Sequence, residues 1–160
     1  MEIPEMTQNP FGPAMTIYPP PDDRPEDWIP GVDVRAVGWL GTTIPYMGDV
    51  PPECLRRLEA AYRYHIHFAD GTWGWYECQI CIRQMGAMGD KLDFSRLGEN
   101  HFLVRHQEVI FMAPRLITHY IRQHSYRPPD EFVDAVLHGV FLTNRDVIVR
   151  SDHPLYTTTW

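Results

Sequence analysis

Cys78-Gln79-Ile80-Cys81 is the segment whose residue types and spacing most directly offer chemistry. Two thiolates this close can share one tetrahedral zinc ion if the chain turns between them. On a flat strand, residues three apart face opposite sides of the sheet, so the pair requires a turn or the start of a helix. One such pair is half a site. His119 and His124, in the run Thr118-His119-Tyr120-Ile121-Arg122-Gln123-His124, supply a second half at a spacing found in structural zinc sites. Five positions on an ideal helix lie ~140° apart, which would aim the two imidazoles away from each other. Both reach one ion only where the helix tightens or ends near Gln123, and Ser125 and Pro128 favour such an ending. The expected ligand set is therefore Cys78, Cys81, His119 and His124, with zinc as the metal.

His65-Ile66-His67 is a rival source of imidazoles, since residues i and i+2 of a strand share a face. The competing reading makes these two the wet side of a half-buried hairpin. A redox use of the C-x-x-C would place it at a helix N-terminus after a strand, where a thiol pKa falls. That order is present here, but the surrounding βαβ pattern is not. His101, His106, His138 and His153 read as surface or hydrogen-bonded histidines, and Cys54, in a helical pattern, as a small buried apolar residue. Trp73, Trp75, Tyr76, Tyr120 and Tyr126 could line a pocket, although residues at such alternating or helical spacing usually belong to a core. The chain has no G-x-S-x-G elbow, H-E-x-x-H, P-loop or G-x-G-x-x-G. The H-x-E and P-C-x-x-C pattern of zinc deaminases is absent as well.

The elements that must position these residues follow from periodicity and punctuation. Residues 1–31 hold eight prolines and read as an extended arm, with Phe11, Ile17, Tyr18, Trp28 and Ile29 available to pack it on the domain or a partner. Residues 32–160 read as a single α+β domain. A strand is expected at 34–40. A helix should open at Pro51-Pro52-Glu53 and end near Tyr64, with Leu55, Leu58, Ala61 and Tyr62 at helical spacing. Asp70-Gly71 predicts a hairpin over 64–77. A second strand pair is expected near 101–105 and 108–112. Helices should follow from Pro114 and from Pro128-Pro129, the second closed by Gly139, before a last strand at 147–149. The result is a small antiparallel sheet with hairpins, packed against about three helices.

Composition narrows the function classes. The chain has 160 residues, 44% of them hydrophobic and 22% charged, which suits one domain with a proper core. The formal net charge of -7 argues against nucleic-acid binding. The start of the sequence lacks a signal-peptide pattern, and no apolar run is long enough to span a membrane, so a cytoplasmic address is expected. Three cysteines are too few, and odd in number, for a disulfide scaffold. Lys91 is the only lysine, so nearly all basic charge is carried by arginine.

Three stretches carry a resemblance. They are Val37-Gly38-Trp39-Leu40-Gly41, Trp75-Tyr76-Glu77-Cys78-Gln79-Ile80-Cys81, and the run from Phe111 through His119-Tyr120-Ile121 and His124-Ser125-Tyr126-Arg127-Pro128-Pro129 to Phe132. Across 34–138 the chain resembles a family of small uncharacterised bacterial proteins. Its members commonly carry a histidine where this chain has Tyr76, which implies an altered site here if that histidine takes part in one. No activity comes with the resemblance.

The functional expectation is a zinc-binding interaction or accessory module with a structural Cys/His site. A protein partner and a homo-oligomer are both compatible with it. The alternatives are a metal-dependent hydrolase or C-x-x-C thiol redox enzyme, and an acidic immunity-type protein that binds a toxin.

Overall fold

The computed structural model describes residues 2–8, 15–17, 33–64, 78–85, 101–142 and 147–149. The expected hairpin over 64–77, with His65, His67, Trp73, Trp75 and Tyr76, lies outside them from residue 65 onward, as do His153 and most of the proline-rich stretch. Six strands and four helices occur among the described residues: β1 (Met15–Ile17), β2 (Asp33–Ala36), α1 (Pro52–Tyr64), α2 (Gln79–Met85), β3 (His101–His106), β4 (Val109–Pro114), α3 (Ile117–His124), α4 (Asp130–His138), β5 (Val140–Phe141) and β6 (Val147–Val149). The class is α+β. None of the described helices is long and apolar enough to cross a membrane.

The main sheet runs β2-β4-β3-β5. It is mixed rather than purely antiparallel: β2 pairs in parallel with β4, from Asp33↔Val109 to Ala36↔Met112, while β3 is antiparallel to both β4 and β5. A separate antiparallel pair joins β1 to β6. β3 and β4 form a hairpin around Gln107-Glu108, with Gln107 at φ 56°. A positive φ in so short a loop matches the right-handed twist of the strands.

Side chains alternate across the sheet, as the two-residue strand period demands. Phe102, Val104, Phe111 and Ala113 face a core completed by Leu58, Ala61, Leu116, Ile117, Tyr120, Phe132, Val133 and Val136 from the helices. Val34, Ala36, Leu103, Ile110 and Met112 face the other way, with Trp39 and Leu142. Both faces of β4 are buried, which explains its near-continuous apolar run Val109-Ile110-Phe111-Met112-Ala113.

The helices are placed by local signals. Pro52 opens α1 at the position where a missing amide costs nothing, and Glu53 suits the positive end. Cys54, Leu58 and Ala61 form its buried stripe. Arg57 of α1 donates to the carbonyls of Val136, at 2.6 Å, and Gly139, at 3.4 Å, satisfying the end of α4. Pro114 ends β4 rather than starting a helix, and α3 begins three residues later. Without an amide, Pro114 can close a ladder but not extend it.

Strand β2 stops at Ala36, short of the expected 34–40, because Gly38 turns the chain with φ +80°. Gly139 is extended (φ -87°, ψ -170°) and is not the left-handed cap expected of it. Its small size is required by space: a Cβ there would stand 2.5 Å from the carbonyl oxygens of both Ala135 and Arg105.

Residues 2–8 run antiparallel beside the outer edge of β2. Ile3 N–H donates to Trp39 O (3.0 Å), Met6 N–H to Ala36 O (2.8 Å), and Ala36 N–H to Thr7 O (3.0 Å). Gln8 bridges Arg35. The segment bends at Met6, a non-glycine residue at φ 62°.

Candidate metal centre

The Cys78–Cys81 segment turns as two convergent sulfurs require. Cys78 directly precedes α2, and its carbonyl accepts the first helical bond from Ile82 N–H at 3.1 Å. Its Sγ accepts the Cys81 amide at 3.4 Å, the role of an N-cap side chain. A helix start between the cysteines swings Cys81 back onto the side of Cys78. Apart from this geometric requirement, no local pattern in residues 79–85 announces α2.

Helix α3 meets the 140° objection at its end. Ser125 adopts the left-handed conformation (φ 54°, ψ 30°), and its N–H donates to the Tyr120 carbonyl. Tyr126 N–H donates to the same carbonyl at 3.1 Å. The closing turn thus spans five and six residues instead of four. A wider turn takes more residues to come round, so positions 119 and 124 arrive on the same side. Their rings meet edge to face with centroids 5.1 Å apart.

The four side chains converge. Cys81 Sγ lies 3.3 Å from Nε2 of both His119 and His124, and Cys78 Sγ lies 3.4 Å from His124 Nε2. All four donor atoms fall within 4.8 Å of one another. For bond lengths of about 2.3 Å to sulfur and 2.0–2.1 Å to nitrogen, a tetrahedral site has sulfur–nitrogen edges of about 3.6 Å. Three of the four sulfur–nitrogen edges, at 3.3–3.4 Å, are within a few tenths of an ångström of that value. Cys78 is fully buried, while Cys81, His119 and His124 are half-buried. Among the described residues no other group of three or more histidine, cysteine or acidic side chains gathers in this way.

Burial sets the proton state of the donors. It pushes the Cys81 thiol up to about 11, reinforced by the adjacent Cys78 sulfur. It pulls His119 down to about 4, helped by repulsion from His124, and lowers His124 as well. The imidazoles are neutral near pH 7 and ready to ligate, whereas Cys81 must lose a proton to do so.

Elsewhere, His106 Nε2 lies 3.1 Å from Asp134 Oδ2 on the surface, and His138 lies 3.6 Å from the other oxygen of the same carboxylate. Cys54 is fully buried, with its thiol pushed up to about 11, an inert core residue. Tyr120 and Tyr126 belong to the core and pack edge to face at 6.4 Å rather than lining a pocket.

One constellation had no sequence signal. Glu5 reaches in from the segment beside β2, and its Oε1 accepts Tyr126 O–H at 2.5 Å and Gly38 N–H at 3.2 Å. Its Oε2 is buried without a hydrogen-bond partner among the described residues. Burial raises the Glu5 pKa against the lowering effect of those two bonds, and burial beside the Glu5 carboxylate raises that of Tyr126.

Fold and site together define a small α+β domain in which a Cys2His2 cluster joins the start of one helix to the end of another. The chain belongs to the family described as Domain of unknown function (DUF7919), which matches residues 13–137 and so includes all four clustered side chains. No curated protein and no solved structure matches it.

Proposed function

We propose that this protein is a zinc-binding structural module, with Cys78, Cys81, His119 and His124 as the four ligands of one zinc ion, and that it acts as an interaction or accessory domain in a reducing compartment. The observation that carries the reading is the convergence of two sulfurs and two imidazoles, with three of the four sulfur–nitrogen separations at 3.3–3.4 Å. Soft thiolates combined with imidazoles suit zinc better than the oxygen-seeking divalent ions.

Four protein donors leave no coordination position for water, an arrangement that favours a structural over a hydrolytic ion. A redox C-x-x-C needs an accessible thiol of lowered pKa. Here Cys78 is sealed from solvent and the Cys81 thiol is raised.

Metal analysis of the purified chain, with cobalt substitution, tests the proposal. One equivalent of zinc is expected. Cobalt should give the intense absorption of a tetrahedral thiolate site, and both signals should disappear in Cys78→Ser and His119→Ala. A fully stable protein that takes up neither metal removes the proposal.

A further inference from the structure

We propose that the metal centre governs whether residues 2–8 stay docked on the edge of β2, so that metal occupancy and coverage of that edge are thermodynamically linked; this rests on the zinc reading above. The connection runs through one turn. His124, which touches both sulfurs, is followed by Ser125 and then Tyr126, whose hydroxyl holds Glu5 at 2.5 Å. Ser125 is a non-glycine residue at φ 54°, and Met6, next to Glu5, sits at φ 62°. Such conformations persist only where their surroundings over-determine them.

The metal ties His124 to a helix start far away in sequence, and that tether is one of the constraints on the turn. Without it the turn relaxes and Tyr126 moves off Glu5. Glu5 then keeps a single donor, Gly38 N–H at 3.2 Å, for a buried carboxyl whose other oxygen already lacks a hydrogen-bond partner among the described residues. A buried carboxyl so poorly satisfied is better solvated outside, and leaving takes the strained Met6 with it. The amide bonds of Ile3 to Trp39 and Met6 to Ala36 open as the segment lifts. What remains is the uncovered edge of β2, the outermost strand of the sheet, with backbone donors and acceptors free to pair with another chain.

Linkage makes the proposal testable from both ends, because two coupled events change each other's equilibria by the same factor. The first measurement is hydrogen exchange at the Ile3 and Met6 amides of the full chain, zinc-loaded and after chelation, with the β3–β4 amides as the control for global folding. Exchange at Met6 is expected to speed up by about tenfold or more on zinc removal while the hairpin amides hold, as for loss of one well-placed buried hydrogen bond. The second is the zinc affinity of Glu5→Ala, a residue outside the ligand set, which should weaken by a similar factor, about tenfold.

Unchanged Met6 exchange with the hairpin intact, or an unchanged zinc affinity in Glu5→Ala, overturns the linkage and leaves the zinc reading standing. A chain that takes up no zinc overturns both and is recognised by its metal content. Should chelation also open the β3–β4 hairpin, the affinity of Glu5→Ala decides the matter.

Discussion

Lowering the pH is the most revealing perturbation of the Cys2His2 cluster, because its donors start from different proton states: the imidazoles are already neutral and the Cys81 thiol is still protonated. The Cys81 thiol, near 11, is protonated throughout the neutral range, so zinc must eject at least that proton on binding. One displaced proton costs a factor of ten in affinity for each pH unit. From pH 7 to pH 5 the loss is at least about a hundredfold, or about 2.7 kcal/mol. His119, pulled down to about 4, adds nothing to that slope above pH 5. An ordinary imidazole, titrating near 6.5, would steepen it below that pH. Structural zinc in small domains is bound with roughly 10–16 kcal/mol at neutral pH, so the site should still hold zinc at pH 6 in micromolar protein. Competition against a chromogenic chelator at pH 5, 6 and 7, with an indicator dye to count released protons, measures both quantities. A pH-independent affinity, or a Cys81→Ser variant that binds as tightly as the native chain, would refute the reasoning.

Gly139→Ala should destabilise the fold by about 1–3 kcal/mol in chemical denaturation although its backbone angles suit alanine, because the added methyl meets two carbonyl oxygens at 2.5 Å; a neutral or stabilising result would show that β3 and α4 can separate cheaply. Phe132→Ala, which empties the edge-to-face contact with Phe111 at 6.0 Å, should cost about 3–5 kcal/mol, whereas Arg122→Ala, which breaks a half-exposed pair with Glu59, should cost no more than about 1 kcal/mol. The raised pKa of Glu5 means that its folded environment favours the protonated form, so the part of its contribution that comes from the bound proton is fully present below the unfolded value near 4.3 and is lost as pH rises through the folded one, while the bond accepted from Tyr126 remains. Glu5→Gln should remove that decline, so a wild-type-to-variant stability difference that stays flat from pH 4 to pH 7 would contradict it.

Some of this arrangement was legible in the chain because it depends on local geometry. Strand geometry forbids Cys78 and Cys81 from converging without a turn, and the chain answers with the first turn of α2. The 140° offset of His119 and His124 demanded a disturbed helix end, and Ser125 supplies one. Helices α1 and α4 announced themselves by proline and acidic residues at their starts.

What escaped was set by long-range pairing. The parallel match of β2 with β4 joins residues more than seventy positions apart, and no local pattern separates it from an antiparallel one. Nothing near Glu5 in the sequence marks it out, since only the folded chain brings Tyr126 and Gly38 to it. Gly139 sat where a left-handed cap is common, yet it was selected by the closeness of the β3 backbone.

The position of the cluster also says what an ion would contribute. Helix α2 has seven residues, well below the length at which an isolated helix persists in water. Within Cys78–Gln84 only Cys78 and Ile80 are fully buried, so apolar packing supplies about two side chains' worth of stabilisation, on the order of 3–5 kcal/mol. So short a helix cannot hold its place by its own hydrogen bonds, and a further tie would anchor α2. Cys78 and Cys81 lie at its first turn, where a tie fixes the helix start that nucleation makes costly. The other two donors come from α3, whose Ile117 and Tyr120 are fully buried in the main core. A zinc ion there would staple the weakest described helix to one of the best anchored, and α2 should be the first element to lose exchange protection when the metal is withdrawn.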